Sequence, residues 1–326
     1  MPRALEQATV VVTGASSGIG RAAALRFARR GSRLGLCARE PGALAAAAAE
    51  CEAAGAAGVV QRALDVGEEE AVEDFAAAVE ERFGHIDVWV NDAGVIAYGN
   101  FLEIPSEVFA RVIQTNLLGQ VHGARAALRR FVAQEQGVLI NLSSVWGRVS
   151  SPYVSPYIAS KSAVRAFSEA LRGELRHLPD VHVTTVAPQA VDTPIFDNAA
   201  DYAGRRVRAI PPVLSPEQVA EGIEACAESP RRQVSYGRAG RLLEILHAAA
   251  PPLYRRFAHP AFVGGTFGAV RHQPGPGNVL EPVGAHAIEG GWRRARRGAL
   301  RRAFLGAAGA ALSGRTRRRE EDRNSS

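Results

Sequence analysis

Lysine is almost missing from this chain: of its 39 basic residues only one, Lys161, is a lysine. Arginine serves every other cationic position, so one site keeps the compact ammonium that a guanidinium does not reproduce. Cysteine is also scarce. Cys37, Cys51 and Cys226 are odd in number and form no C-x-x-C pair, which argues against a disulfide framework or a zinc site and for a reducing compartment. None of the eight histidines has H-E-x-x-H spacing, so no metal is expected, and His85, His122 and His177 read as surface or core residues. No apolar run approaches the ~18 to 20 residues of a membrane span, and the strand-like run Thr9–Thr13 begins too early to follow a signal peptide. The expected location is cytoplasmic.

What is present is a chain of 326 residues, 47% hydrophobic and 22% charged, enough for one large α/β domain with an appendage. The net charge of +6 is unevenly placed. Segment Gly291–Ser326 holds eleven arginines against Glu320, Glu321 and Asp322, a charge of +8 that leaves −2 for the rest. The basic character therefore describes a tail, and no nucleic-acid partner is expected.

Short apolar runs at 9–13, 33–38, 58–64, 86–91, 138–142, 181–187 and 233–236 read as seven strands. Helical periodicity fills 19–30, 44–54, 68–83, 106–134, 156–178 and 216–228. Strands apolar on both faces and alternating with helices predict a doubly wound parallel seven-stranded sheet, the Rossmann fold, over residues 1–240. Ser106 and Ser215-Pro216 read as helix starts and Gly31 as a helix stop. Beyond Gly240 a C-terminal extension over 241–290 is expected: a helical stretch at 242–259 broken at Pro251-Pro252, then a Gly/Pro-rich linker over 262–291. The tail from Trp292 onward reads either as solvated chain or as a peripheral anchor whose arginines meet anionic lipid.

Directly after the first strand comes Thr13-Gly14-Ala15-Ser16-Ser17-Gly18-Ile19-Gly20, opening into a helix. Glycines allow a pyrophosphate close to the backbone, and the helix N-terminus presents unpaired N–H groups to it. At the end of the second strand Ala38 stands where a site preferring NAD carries an acid, and Arg39 follows, a guanidinium suited to a 2′-phosphate. NADP is the expected cofactor, with NAD as the alternative and Glu40 as a competing partner for Arg39.

Tyr157 precedes the sole lysine by four residues at the start of a predicted helix, which places phenol and ammonium on one face. A phenol of ordinary pKa ~10 is a poor acid or base near neutral pH, and an adjacent cation lowers that value. Ser144 follows the strand at 138–142, at the carboxyl edge of the sheet where ligands bind.

Together these residues resemble the classical short-chain dehydrogenase/reductase family over about residues 8–240. The resemblance also rests on Asp65 in Leu64-Asp65-Val66, on Asn91-Asp92-Ala93-Gly94, and on Asn116 in Thr115-Asn116-Leu117. It implies that Tyr157 is the general acid/base, that Ser144 polarises a substrate carbonyl, and that Lys161 binds the nicotinamide ribose and lowers the phenol's pKa. Asn116 would complete a water-linked proton relay, the alternative being a stabiliser of a helix kink. By the same likeness Asp65 and Val66 flank adenine, Asn91, Ala93 and Gly94 line the cofactor, and Pro188, Val191 and Thr193 hold the carboxamide. Gly14, Ser16, Ser17, Gly18, Ile19 and Gly20 form the phosphate cradle. Two positions depart from the family pattern: Asp92 replaces an asparagine, and Gln189 replaces a glycine where it would narrow the nicotinamide pocket or touch substrate.

Segment 194–214 is too long for a plain connection and reads as a lid over substrate. Trp146, Tyr153, Ile195 and Phe196 are candidates for an apolar wall, and hence for an apolar ketone, aldehyde or secondary alcohol as substrate, with core packing the alternative. Ala159, Ala163, Ala166 and Ala170 form a small-residue stripe suited to a homodimer or homotetramer or to packing within one subunit. The reading is an NADP-dependent oxidoreductase. Its rivals are a non-catalytic dinucleotide sensor on the same fold and a membrane-associated interaction protein acting through the arginine-rich tail.

Overall fold

Runs of valine, leucine and isoleucine form strands here because branched side chains fit a pleated surface covered on both faces. The computed structural model describes residues 4–282 and 286–293. Its strands in chain order are β1 (Thr9–Thr13), β2 (Arg33–Ala38), β3 (Gly58–Ala63), β4 (Val88–Asn91), β5 (Ala97–Gly99), β6 (Gly137–Leu142), β7 (Val181–Pro188), β8 (Ala200–Tyr202), β9 (Arg205–Val207), β10 (Gln233–Tyr236) and β11 (Phe267–Arg271). Seven of them form one sheet in the order β10-β7-β6-β4-β1-β2-β3, with every pairing parallel. The winding reverses between β1 and β4. That reversal opens the crevice in which doubly wound sheets bind ligands, at the carboxyl ends of their strands.

The helices are α1 (Gly18–Arg29), α2 (Pro41–Ala53), α3 (Glu69–Phe83), α4 (Ser106–Ile113), α5 (Gly119–Gln134), α6 (Ser155–Glu174), α7 (Pro216–Glu228), α8 (Arg238–Ala249) and α9 (Pro251–Thr266). Phe27, Leu44, Val219 and Ile223 belong to one core built on Val10, Val12, Leu34 and Leu36 of the sheet. Val72, Phe75, Val79 and Phe131 belong to a second, with Val11, Trp89 and Leu139. Alternate residues of one strand thus feed opposite cores, which is why the strands read as unbroken apolar runs.

Two expected starts differ in outcome. Ser215 caps α7 through a reciprocal pair: its hydroxyl accepts from Gln218 N at 3.2 Å, and Gln218 Oε1 accepts from Ser215 N at 3.0 Å. Ser106, read as a cap, is instead the first residue of α4, and Pro105 before it makes no side-chain cap. Gly31 takes φ +76° and ends α1. The single helix expected over 106–134 is interrupted by a π turn at Gln114–Leu118.

The extension is more ordered than a Gly/Pro-rich linker. It breaks into α8 and α9 at Ala250, where Pro251 fits the first turn of a new helix. Residues 267–271 then pair with β9 as an antiparallel strand, and the following segment folds back onto the sheet's ligand edge as a strap. Asp201 and Gly275 exchange two backbone hydrogen bonds of 2.9 Å, and Asn278 N donates to Asn198 O at 2.8 Å. Val279 is completely buried in a cluster with Val95, Ala97, Val108 and Val112. The chain up to Gly290 is one compact unit. The basic tail, apart from residues 291–293, lies outside the described residues.

Candidate active site

The loop between β1 and α1 is shaped by close approach. Gly14 takes φ +71°, and a Cβ there would lie 2.9 Å from the Ala93 backbone. Gly18 takes φ +55° and packs on Thr193. Ser17 precedes the helix but makes no side-chain cap, so its hydroxyl is not spent on α1. A cavity of about 320 Å³ opens over this loop, lined by Gly14, Ser16, Ser17, Gly18 and Ile19. Arg39, Val66, Ala93, Gly94, Ser144, Tyr157, Lys161, Pro188, Val191 and Thr193 line the same cavity. Fifteen of the nineteen candidate residues therefore converge on one space, from loops that are far apart in the chain.

Four do not line it. Gly20 lies beneath the loop, where a Cβ would meet Gly14 O at 2.4 Å. Asp65 is turned away: one carboxylate oxygen accepts from Gly67 N at 2.8 Å and the other pairs with Arg111. Its neighbours Leu64 and Val66 line the cavity instead. Asn91 is spent on the core, accepting from Trp89 Nε1 at 2.8 Å and donating to Asn141 Oδ1 at 2.9 Å. Asn116, completely buried, accepts from Val95 N at 2.8 Å and donates to Val95 O at 2.9 Å and Ser160 Oγ at 3.1 Å. It sits inside the π turn, as a kink stabiliser does. Gly94 neighbours both it and the lysine: a Cβ on Gly94 would be 3.4 Å from Asn116 Oδ1 and 3.6 Å from Lys161 Nζ.

On α6, Tyr157 and Lys161 share a face as their spacing requires, with Nζ 5.6 Å from the phenol ring centroid. Lys161 Nζ donates to Leu142 O at 2.8 Å, which ties the helix to the end of β6. The side chains of Ser144 and Tyr157 are hydrogen-bonded to each other, and Trp146 packs edge-on to the Tyr157 ring at 6.0 Å. The electrostatics correct the sequence expectation. Burial pushes the Tyr157 phenol up to about 12, Asp92 adds to the rise, and the Ser144 hydrogen bond opposes it. Burial also lowers Lys161, to about 8, with Asp92 partly restoring its charge. Asp92, which replaces the family's asparagine, is pushed up by burial, while Lys161 and the Gly20 N–H pull it back.

Arg39 is held by the strap and not by Glu40. Its Nη2 donates to Asn278 O at 2.5 Å and its Nη1 to Val279 O at 3.2 Å. Glu40 instead caps α2 through the N–H groups of Gly42 and Ala43. Further along the strap, Gly18 N donates to Ala287 O at 3.1 Å and Arg21 Nη1 to His286 O at 2.9 Å. Gly290 N reaches Asp192 O at 3.2 Å. The phosphate end of the cavity is therefore roofed by a segment with no sequence signal beyond glycine and proline.

Gln189 lines the cavity, and its amide donates to Pro212 O at 2.7 Å and accepts from Gly240 N at 3.1 Å, so it also ties the lid to α8. Trp146, Ile195 and Phe196 line the cavity, joined by Ile210, Leu243 and Phe262. Tyr153 does not line it: it is 41% exposed and packs edge-on against Phe267. Leu243 and Phe262 belong to the extension: Leu243 falls in the helical periodicity of 242–259, which gave no indication of what that helix covers, and Phe262 falls in the stretch read as linker but lies in α9.

The donor set suits a dinucleotide. A glycine turn that excludes any Cβ, a helix N-terminus, two serine hydroxyls and a guanidinium gather at one end of the cavity, and a phenol, a hydroxyl and an ammonium at the other. Comparison with known proteins agrees. Residues 8–203 match the short chain dehydrogenase family. An uncharacterised oxidoreductase of Bacillus subtilis, YxnA, is 34% identical over 257 residues, 77% of this chain and 71% of that protein. An alcohol dehydrogenase from the archaeon Thermococcus sibiricus, solved with 5-hydroxy-NADP, is 31% identical with a TM-score of 0.61, covering 70% of this chain and 95% of that one. A short-chain dehydrogenase/reductase from Burkholderia phymatum, solved with NAD, is 29% identical with a TM-score of 0.69, covering 76% and 94%. With its glycine turn, its Tyr157/Lys161 face and that match over most of the sheet, the chain belongs to the short-chain dehydrogenase/reductase family of nicotinamide-dependent oxidoreductases.

Proposed function

We propose that the protein is an NADP(H)-dependent oxidoreductase acting on an apolar ketone or aldehyde, or on the matching alcohol, with Tyr157 as general acid/base. The observation that carries this reading is the convergence of Tyr157, Ser144, Lys161 and Arg39 on one cavity to which Trp146, Ile195, Phe196, Ile210, Leu243 and Phe262 add an apolar wall. Nicotinamide supplies or accepts the hydride. Arg39 binds the 2′-phosphate, next to Ala38, which stands where an acidic residue would favour NAD. Ser17 and the first turn of α1 hold the diphosphate.

Ser144 donates a hydrogen bond to the substrate carbonyl oxygen, and Tyr157 delivers the proton to that same oxygen in reduction. A phenol held up by burial keeps its proton at neutral pH, which suits the acid role. Lys161 binds the nicotinamide ribose, and Asn116 continues the proton path. Trp146, Ile195, Phe196 and Phe262 surround the carbon skeleton and exclude water. Ala159, Ala166 and Ala170 lie exposed on α6, which supports helix packing against a second copy of the chain.

A panel of carbonyls and alcohols of graded chain length, followed by NADPH absorbance, tests the reading. Bulky apolar ketones or aldehydes are expected to give the highest kcat/KM. No turnover across the panel in either direction would overturn it.

A further inference from the structure

The α8–α9 hairpin is apolar on two sides. Its inner side supplies Ala239, Gly240, Leu243 and Phe262 to the cavity and packs Tyr254, Ala258 and Phe262 against Val145 and Val149. Its outer side leaves large apolar groups in the open: Leu242 is 66% exposed, Ile245 57%, Leu253 51% and Phe257 63%. These fall at i, i+3 on α8 and i, i+4 on α9, one stripe per helix. A folded chain gains nothing by exposing such stripes unless another apolar phase covers them.

The charge around the stripes says which phase. Arg238, Arg241, Arg255 and Arg256 are all exposed. Several helical arginines elsewhere are matched by acids, as in Arg26–Glu217, Arg125–Glu69 and Arg129–Glu73. Among the described residues none of the four hairpin guanidiniums has a carboxylate partner. The sole acid between Arg238 and Thr266 is Glu244, whose carboxylate is taken up by Arg148 and Ser235. A second copy docking through this face would set arginine against arginine. An anionic lipid surface instead offers phosphates to the guanidiniums and acyl chains to the leucine, isoleucine and phenylalanine side chains. No helix among the described residues is long and apolar enough to cross a membrane, so the contact is peripheral.

We infer that the outer face of the α8–α9 hairpin docks on an anionic lipid surface, bringing the apolar half of the cavity to the bilayer so that a lipid-soluble carbonyl or alcohol enters from it. The docking stands on the hairpin alone; the substrate class rests on the activity proposed above.

The test uses the full chain. The three native cysteines are buried, so Phe257→Cys can be labelled selectively with an environment-sensitive fluorophore and titrated with vesicles of phosphatidylcholine, with and without phosphatidylglycerol. Blue-shifted emission with the anionic vesicles, weakening as salt rises, is expected. In unlabelled protein, Leu253→Ser with Phe257→Ser, and separately Arg255→Glu with Arg256→Glu, should each lower vesicle partitioning by about tenfold or more. Both should keep turnover of a short water-soluble ketone and lose turnover of a long-chain ketone dispersed in anionic vesicles. Vesicle binding unchanged in both variants would overturn the inference and assign that binding to the arginine-rich segment 291–326. A smaller oligomer in the variants, with no vesicle binding by the parent protein, would overturn it in favour of self-association. Absence of any turnover would strike at the proposed activity, while the fluorescence titration would still decide the docking.

Discussion

Tyr157 lies among surfaces that disfavour its phenolate, and the negative charge of Asp92 adds to that effect. In reduction the protonated phenol is the active form, so activity is kept across neutral pH and lost only as pH rises through the raised pKa. In oxidation the phenolate is needed and the rate climbs with pH. Asp92→Asn removes a charge that raises the phenol's pKa, so the rise in alcohol oxidation should begin at lower pH than in the parent protein; pH–rate profiles of the two proteins carried above neutral pH, where Asp92 is ionised, check this. At the other end of the cavity, the replacement of an acid by Ala38 and Arg39 has a direct kinetic reading. Arg39→Asp should lower the ratio of NADPH to NADH kcat/KM by about tenfold or more, the value of a charge-assisted pair to phosphate. An unchanged ratio would remove Arg39 from the 2′-phosphate site.

Among the elements, the strands and the helices packed on them were legible because burial on both faces leaves an unbroken apolar run and helical covering leaves a 3.6-residue period. The π turn was not. It arises from Asn116 gripping the Val95 backbone across the fold, a contact that no local pattern encodes. The strap was equally invisible, since residues 275–282 and 286–290 hold the site mainly through backbone carbonyls, and carbonyls have no letter in a sequence. Its anchoring turns on Gly277, whose φ is +52° and whose Cβ would lie 2.4 Å from Asn198 O. Gly277→Val should dislodge the strap from Asn198 and uncover the cradle. Stopped-flow release of NADPH should then be several-fold faster than from the parent, and an unchanged release rate would mean that the strap does not control exchange.

Across the whole molecule, the position of the site was legible because the glycine turn and the Tyr157/Lys161 pair both fall at carboxyl ends of parallel strands, where a doubly wound sheet opens. The environment of the site was not, because burial is a property of the assembled fold. Sequence spacing placed an ammonium beside the phenol, yet packing desolvates both groups and leaves the phenol with a raised pKa. The same assembly turns Asn91 and Asp65 away from the cavity and brings in Leu243 and Phe262 from the extension. The account stands most directly on proton delivery by the phenol, and Tyr157→Phe measures it in the intact protein. The variant should keep the NADPH-induced rise in melting temperature, since the cradle and Arg39 are untouched, and lose turnover by roughly 10² to 10⁴-fold. Turnover at the parent rate with cofactor still bound would contradict it.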